Sequence, residues 1–167
     1  MNCYIQNNDI IGLRKTKVED LEYVLKTESN LDNKPYVGQW TCSEHKDALN
    51  DDDILHIIVE DYQRKKEVGY LIIAGLRNPN KALELKRIAI EEKGRGFGKE
   101  TLYLIKKLAF EKYDFNRLWL DVRLNNERAQ KIYKLSGFKE EGILREVVYS
   151  NGKYESIKIM SIIKSEY

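Results

Sequence analysis

The run from Leu83 to Val122 constrains the fold more than any other part of the chain. It reads as an apolar strand pattern (Leu83 to Ile90), the loop KGRGFGK (Lys93 to Lys99), a helical pattern, and a second strand pattern (Arg117 to Val122). Leu102, Ile105, Leu108 and Ala109 recur on one face with Leu104 beside them, which predicts an amphipathic helix over about 97 to 112. A loop plus a helix between two strands is the crossover that joins neighbouring parallel strands. The remaining strand patterns are connected by short turns and read as antiparallel, so the expected fold is α/β. It has a mostly antiparallel mixed sheet, one parallel pair at about 83–90 and 117–122, and helices on both faces.

The other elements follow from local signals. Tyr4 to Leu13 reads as a strand, and Thr16 with Glu19 reads as a capping box opening a helix over about 17 to 29. Thr41 and Glu44 repeat that spacing before a short second helix. Ile54 to Glu60 and Val68 to Ala74 read as strands paired across the polar turn at Gln63 to Lys65. Asn126 to Ser136 reads as a short helix that Gly137 ends with a left-handed cap. Arg145 to Ser150 and Lys153 to Ile159 flank Asn151-Gly152, the turn pair of a tight hairpin.

The chain of 167 residues has 42% apolar content, no internal repeat and only two prolines, Pro35 and Pro79, so residues 1–167 are expected to form one domain. A net charge of +2 gives no global field for nucleic acid or a membrane surface, and neither is expected as a partner. Cys3 and Cys42 have no metal-ligand spacing, His45 and His56 belong to no metal pattern, and no metal is expected. No secretory leader or unbroken apolar run of membrane length is visible, so a cytoplasmic setting is expected.

The loop sits after a strand and opens a helix, where unpaired backbone amides and the positive end of the helix dipole converge. Such a point attracts anions. Gly94, Gly96 and Gly98 keep Cβ atoms away from the amides, and Lys93, Arg95 and Lys99 add positive charge. The spacing excludes two common phosphate ligands. Counted from Gly94 and Gly96, the third glycine of a dinucleotide fingerprint falls on Lys99; counted from Gly96 and Gly98, it falls on Thr101. A Walker loop needs Ser or Thr after its Lys, whereas Glu100 follows Lys99. A glycine-rich turn that holds nothing is the bland alternative.

Taken with the loop, the stretch LWLDVRLNNERAQKIYKLSGF from Leu118 to Phe138 resembles the GNAT superfamily of acetyl-CoA-dependent N-acetyltransferases. Lys93, Gly96 and Gly98 match that family's pyrophosphate-binding pattern, and Asn126, Tyr133, Gly137 and Phe138 match the strand, Asn and helix that follow it. The stretch is similar to that of the ribosomal-protein alanine N-acetyltransferases, which carry Leu-Trp-Leu-Glu-Val-Arg where LWLDVR stands here. Lys93 departs from the family's usual Arg or Gln and loses the planar fork.

The resemblance implies that acetyl-CoA is the cosubstrate. It also implies that the parallel strands splay, that the backbone of Ile88, Ala89 and Ile90 pairs with the pantetheine arm, and that Lys93, Gly94, Arg95, Gly96, Phe97, Gly98, Lys99 and Glu100 cradle the diphosphate. Those strand side chains fill the core at the same time. Tyr133 is implied as the acid that protonates the leaving thiolate. Asn126, two turns earlier on the same helical face, would orient the coenzyme toward it. A packed aromatic is the alternative for Tyr133.

Two carboxylates match bases of different branches. Asp121 stands where the ribosomal-protein enzymes carry Glu, and Glu84 stands where histone-type enzymes carry theirs. Glu84 needs no compensation for a shortened side chain and is the favoured base. Either could instead be a salt-bridged strand residue. The acceptor is expected to be a primary amine, either a protein N-terminus or a small molecule. At pH ~7 an α-amine of pKa ~8 is neutral about one time in ten, a lysine-type amine near ~10.4 about once in 2,500. The competing class is a regulatory module that binds acyl-CoA without chemistry, for which Tyr133 with a nearby carboxylate would have no use. Any assembly is expected to be a homodimer.

Overall fold

The computed structural model describes residues 3–167. One eight-stranded sheet runs in the order β1-β2-β3-β4-β5-β6-β8-β7. Its strands are β1 (Gln6–Asn7), β2 (Ile11–Lys15), β3 (Ile54–Asp61), β4 (Lys66–Ala74), β5 (Ala82–Ile90), β6 (Arg117–Arg123), β7 (Lys139–Ser150) and β8 (Lys153–Ile163). Every neighbouring pair is antiparallel except β5 with β6. The helices are α1 (Leu21–Ser29), α2 (Cys42–Leu49), α3 (Phe97–Lys107) and α4 (Glu127–Leu135). Among the described residues no helix is long and apolar enough to cross a membrane.

The helices divide between the two faces as the crossover predicts. On one face α3 supplies Leu102, Leu104 and Ile105 to a core with Leu13, Ile57, Leu71, Leu83, Leu118 and Met160, and Tyr133 of α4 joins it. On the other, Leu21 and Val24 of α1 pack with Ile58, Tyr70, Ile72 and Ala89. The two sets alternate from Tyr70 to Ile73 of β4, the period-two pattern of a strand buried on both sides, and a bulge against β3 shifts Val68 out of that alternation.

Several boundaries differ from the sequence reading, each for a local reason. Tyr4 to Leu13 is not one strand: Asn8 Oδ1 accepts from the N–H groups of Ile10 and Ile11, both at 2.9 Å, and this Asx turn folds the stretch into the β1–β2 hairpin. The first capping pair is shifted by one residue. Asp20 Oδ2 accepts from Lys17 N at 2.7 Å and is held by Arg14, so a single tight turn at Val18–Asp20 precedes α1, and Thr16 turns inward to His56. The second box forms as expected, with Thr41 N donating to Glu44 Oε2 at 2.6 Å and Glu44 N to Thr41 Oγ1 at 3.2 Å.

α3 ends at Lys107 and widens into a π-helical turn, Leu108–Lys112, which keeps Leu108, Ala109 and Phe110 buried. The closing hairpin turns at Asn151 (φ 52°) and Gly152 (φ 75°), both left-handed as a tight hairpin requires. Its strands are longer than the alternation suggested, because β7 bulges between Leu144 and Val148 and so escapes a strict period.

Candidate active site

The site begins where the parallel pairing stops. β5 and β6 are paired only at Ala82↔Arg117, Leu83↔Leu118 and Glu84↔Trp119, and beyond that point the strands part. On its other side β5 stays paired to β4 up to Gly69↔Ile90, so the edge of residues 85–90 that faces β6 has no strand partner. Ile88, Ala89 and Ile90 lie on that free edge.

A bulge directs the side chains around the gap. Ile72 and Ile73 of β4 pair with Arg87 and Leu85, which leaves Lys86 as an extra residue in β5. Leu83 and Leu85 therefore pack into the α3-side core, as do Ile88 and Ile90, while Ala89 turns to the α1 side and Arg87 reaches Glu28 there. The sequence carried this signal in the three-residue step from Leu85 to Ile88, where strict alternation would step by two.

Glu84 stands at the vertex of the splay and is half-buried; burial raises its carboxyl above the ordinary range, Lys86 opposes that rise and Asp121 adds to it. Asp121 lies two residues past the last paired position of β6. It is exposed, yet surrounded closely enough that desolvation raises its pKa while Lys86 and Arg123 pull it down, which is the situation of a carboxylate lining a water-filled cleft. Tyr133 is only 9% exposed, and burial followed by the charge of Asp121 pushes its phenol up. Two carboxylates and a phenol thus converge electrostatically on one gap.

Tyr133 is placed by both ends of α4. Asn126 is the N-cap, its Oδ1 accepting from Ala129 N at 3.2 Å. Capping uses one lone pair of Oδ1, and the Asn126 Nδ2 group makes no part of the cap. At the other end Gly137 is left-handed (φ +95°), Phe138 N donates to Tyr133 O at 3.0 Å, and the two rings lie 5.9 Å apart.

The glycine loop has the cradle shape. Gly94 (φ +83°) and Gly96 (φ +81°) are left-handed, and Gly96 caps α3 so that the first-turn amides point outward. A Cβ added at Gly94, Gly96 or Gly98 would meet nothing within 4 Å, so the space over these amides is open. Phe97 anchors the loop in the core at 3% exposure.

The charges are distributed differently from the sequence reading. Arg95 is turned aside, with Nη1 2.7 Å from Glu92 Oε2 and its guanidinium over the Phe97 ring. Glu100 accepts from Asn8 Nδ2 at 2.9 Å, tying the helix start to the first hairpin. Lys93 Nζ donates to Asp32 O at 3.3 Å; burial lowers its pKa, the Asp32 charge opposes this, and Arg128 lowers it further. Arg128, in the first turn of α4, is a cation beside the cradle that the sequence motifs did not single out. Open glycines, outward amides and two cations fit a diphosphate.

A model of the acetyltransferase (GNAT) family matches residues 23–138, and the chain belongs to that family; it is an acetyl-CoA-dependent N-acetyltransferase. Among curated relatives it is 26% identical over 168 residues to spermidine N(1)-acetyltransferase of Vibrio cholerae, covering 96% of both chains. It is 27% identical over 144 residues to the putative [ribosomal protein bS18]-alanine N-acetyltransferase of Bacillus subtilis, covering 85% of this chain and 89% of the relative. The crystal structure of the V. cholerae spermidine enzyme in complex with CoA and spermine superposes with a TM-score of 0.84 at 26% identity, covering 95% of this chain and 98% of that one.

Proposed function

We propose that residues 1–167 act as one domain that acetylates a small primary amine, a polyamine of the spermidine kind being the class to test first. The carrying observation is the vertex at Glu84, where the one parallel pair among the described residues opens beside Asp121 and Tyr133. Acetyl-CoA supplies the activated acetyl group when bound. The chain's part is to hold the diphosphate on the loop amides of residues 94–99 with Lys93 and Arg128 nearby, and to offer the free edge of Ile88 to Ile90 to the pantetheine.

Glu84 takes the proton from the attacking ammonium, directly or through water. A raised carboxyl pKa makes it a better base than an ordinary glutamate and brings it closer to the amine it must deprotonate. Tyr133 donates to the departing sulfur. With reference values of ~10 for the phenol and ~8.5 for a thiol, full transfer is uphill by about 2 kcal/mol, so its contribution is a directed hydrogen bond that strengthens as charge develops on sulfur.

The small-amine reading draws on the spermidine relatives. The protein N-terminus remains the second reading because of the bS18-alanine relative and the LWLDVR segment. Thiol release from acetyl-CoA, measured over spermidine, spermine and an alanine-terminated peptide, tests both. Turnover of the peptide alone would overturn the polyamine assignment, and no turnover with any amine would overturn catalysis in favour of a binding module.

A further inference from the structure

A second set of buried polar groups, outside every sequence motif, lies beneath α1 and α2. Glu28 is 1% exposed, and its Oε1 accepts from Tyr70 OH at 2.6 Å and from Arg87 Nη1 at 2.6 Å. Its Oε2 accepts from Trp40 N at 3.3 Å, and Gln39 Nε2 donates to the Glu28 carbonyl at 2.9 Å. His45 Nε2 lies 3.0 Å from Glu28 Oε1 but off the line of a good hydrogen bond. Behind it His45 Nδ1 is 3.0 Å from His56 Nε2, and His56 Nδ1 is 2.8 Å from Thr16 Oγ1.

Burial holds His56 neutral, so one of its ring nitrogens is a donor and the other an acceptor. Thr16, His56 and His45 thus form one chain of buried polar contacts that ends beside Glu28. The charge that pairs directly with the buried Glu28 carboxylate is the Arg87 guanidinium.

Arg87 is turned toward Glu28 by the Lys86 bulge and sits next to Ile88, at the start of the free edge. Its guanidinium stacks on the Trp40 ring at 4.4 Å. Gly38 lies so close that an added Cβ would be 2.5 Å from Arg87 Nη2, and Val37 and Trp40 pack on the cluster that contains Ala89. Residues 37–40 thus lie over Arg87 and Ala89 on the α1 side, while Asp32, earlier in the same connection, meets the coenzyme loop through its carbonyl and Lys93.

We infer that Glu28 and Arg87 are positioning residues for the amine acceptor: together they clamp residues 30–41 as the wall of the acceptor side, so that Trp40 is held at a fixed distance from the free edge of β5. The inference rests on the splay being the site of acetyl transfer. Neither residue touches the reacting atoms, since both side chains are nearly inaccessible. The clamp sets where the amine lies relative to Glu84 while the cradle at residues 94–99 is formed independently.

Glu28→Gln keeps the shape but turns one acceptor oxygen into a donor that faces either Trp40 N or the Arg87 and Tyr70 donors, and Arg87→Lys keeps the charge but loses the stacked plane. Each is expected to raise the acceptor KM for spermidine about tenfold, with kcat at saturation within about threefold and the coenzyme A Kd within about twofold. Hydrogen exchange of residues 30–41 is expected to quicken in both variants while α3 is unchanged. An unchanged KM with intact turnover overturns the inference, and so does an equal loss of coenzyme A affinity, which marks a general structural role. If wild type acetylates no amine at all, the proposed function fails by itself, and unchanged exchange over 30–41 in Glu28→Gln separately removes the clamp.

Discussion

Acidification is expected to destabilise the fold through one residue, His56. Burial is the main cause of its shift, helped by His45, and carries its pKa from 6.5 to about 3. Because the folded value is depressed, the unfolded chain binds a proton that the native chain refuses throughout the window from about 6.5 down to about 3. Stability therefore falls as pH falls through the unfolded value, by about 1.4 kcal/mol per pH unit once well below it. Between pH ~7 and ~5 the integrated loss is about 2 kcal/mol, which for a chain of this size lowers Tm by about 4–8 °C.

The depressed carboxyls of Glu28, Asp20 and Asp61 lose their contribution only as pH falls through and below the ordinary carboxylate range, beneath the pH ~7 to ~5 interval. Raised Glu84 and Asp121 act in the opposite direction, gaining stability on protonation. Both sets are present equally in His56→Asn, whose side chain can still meet Thr16. Thermal melts of wild type and His56→Asn at half-unit steps from pH 7 to 5 isolate the His56 contribution as a difference in slope. The variant starts less stable and its curve is flatter. Parallel curves would refute the argument, because they would mean that the buried ring is protonated in the fold.

Three further outcomes follow from the site. Gly98→Val places its branches in open space and so should melt like wild type without ligand, yet lose most of the stabilisation that coenzyme A at 100 Kd gives wild type, about 2.7 kcal/mol; an undiminished shift in a thermal-shift titration would empty the cradle of its role. Tyr133→Phe should lower kcat by about a hundredfold with coenzyme A affinity within a few fold, and full activity would reduce Tyr133 to packing. Removing the Asp121 charge relaxes the rise in Glu84, so Asp121→Asn should move the acid limb of kcat/KM to lower pH, whereas Glu84→Gln should depress the rate until the amine deprotonates unaided; coincident pH–rate profiles in all three proteins would leave neither carboxylate as the base.

What the sequence reveals is what neighbouring residues decide among themselves. Gly137, Asn151-Gly152 and the Thr41–Glu44 box all act within four residues of chain, and each forms as read. The parallel pair was equally legible, because a glycine loop and an amphipathic helix leave few other ways to join two strands. The Glu28 cluster was not, since its members run from Thr16 to Arg87 and each alone looks like a polar residue of a helix face or a strand. Histidines eleven residues apart spell nothing until α2 is laid on β3. Asn8-Asp9 was hidden by the apolar residues around it, and the true partners of Lys93 and Arg95 depend on loop geometry that composition does not encode.

The parting of β5 from β6 also bears on self-association. An unpaired strand edge normally lies at the rim of a sheet, where another molecule's strand can add to it. Here hydrogen-bonding backbone is exposed in the middle of the sheet, between two strands still joined at Glu84 and Trp119 and beneath the start of α3. The free edge of β5 therefore faces an interior gap rather than the rim, and strand addition from outside is left to β1 and β7, the two ends of the sheet.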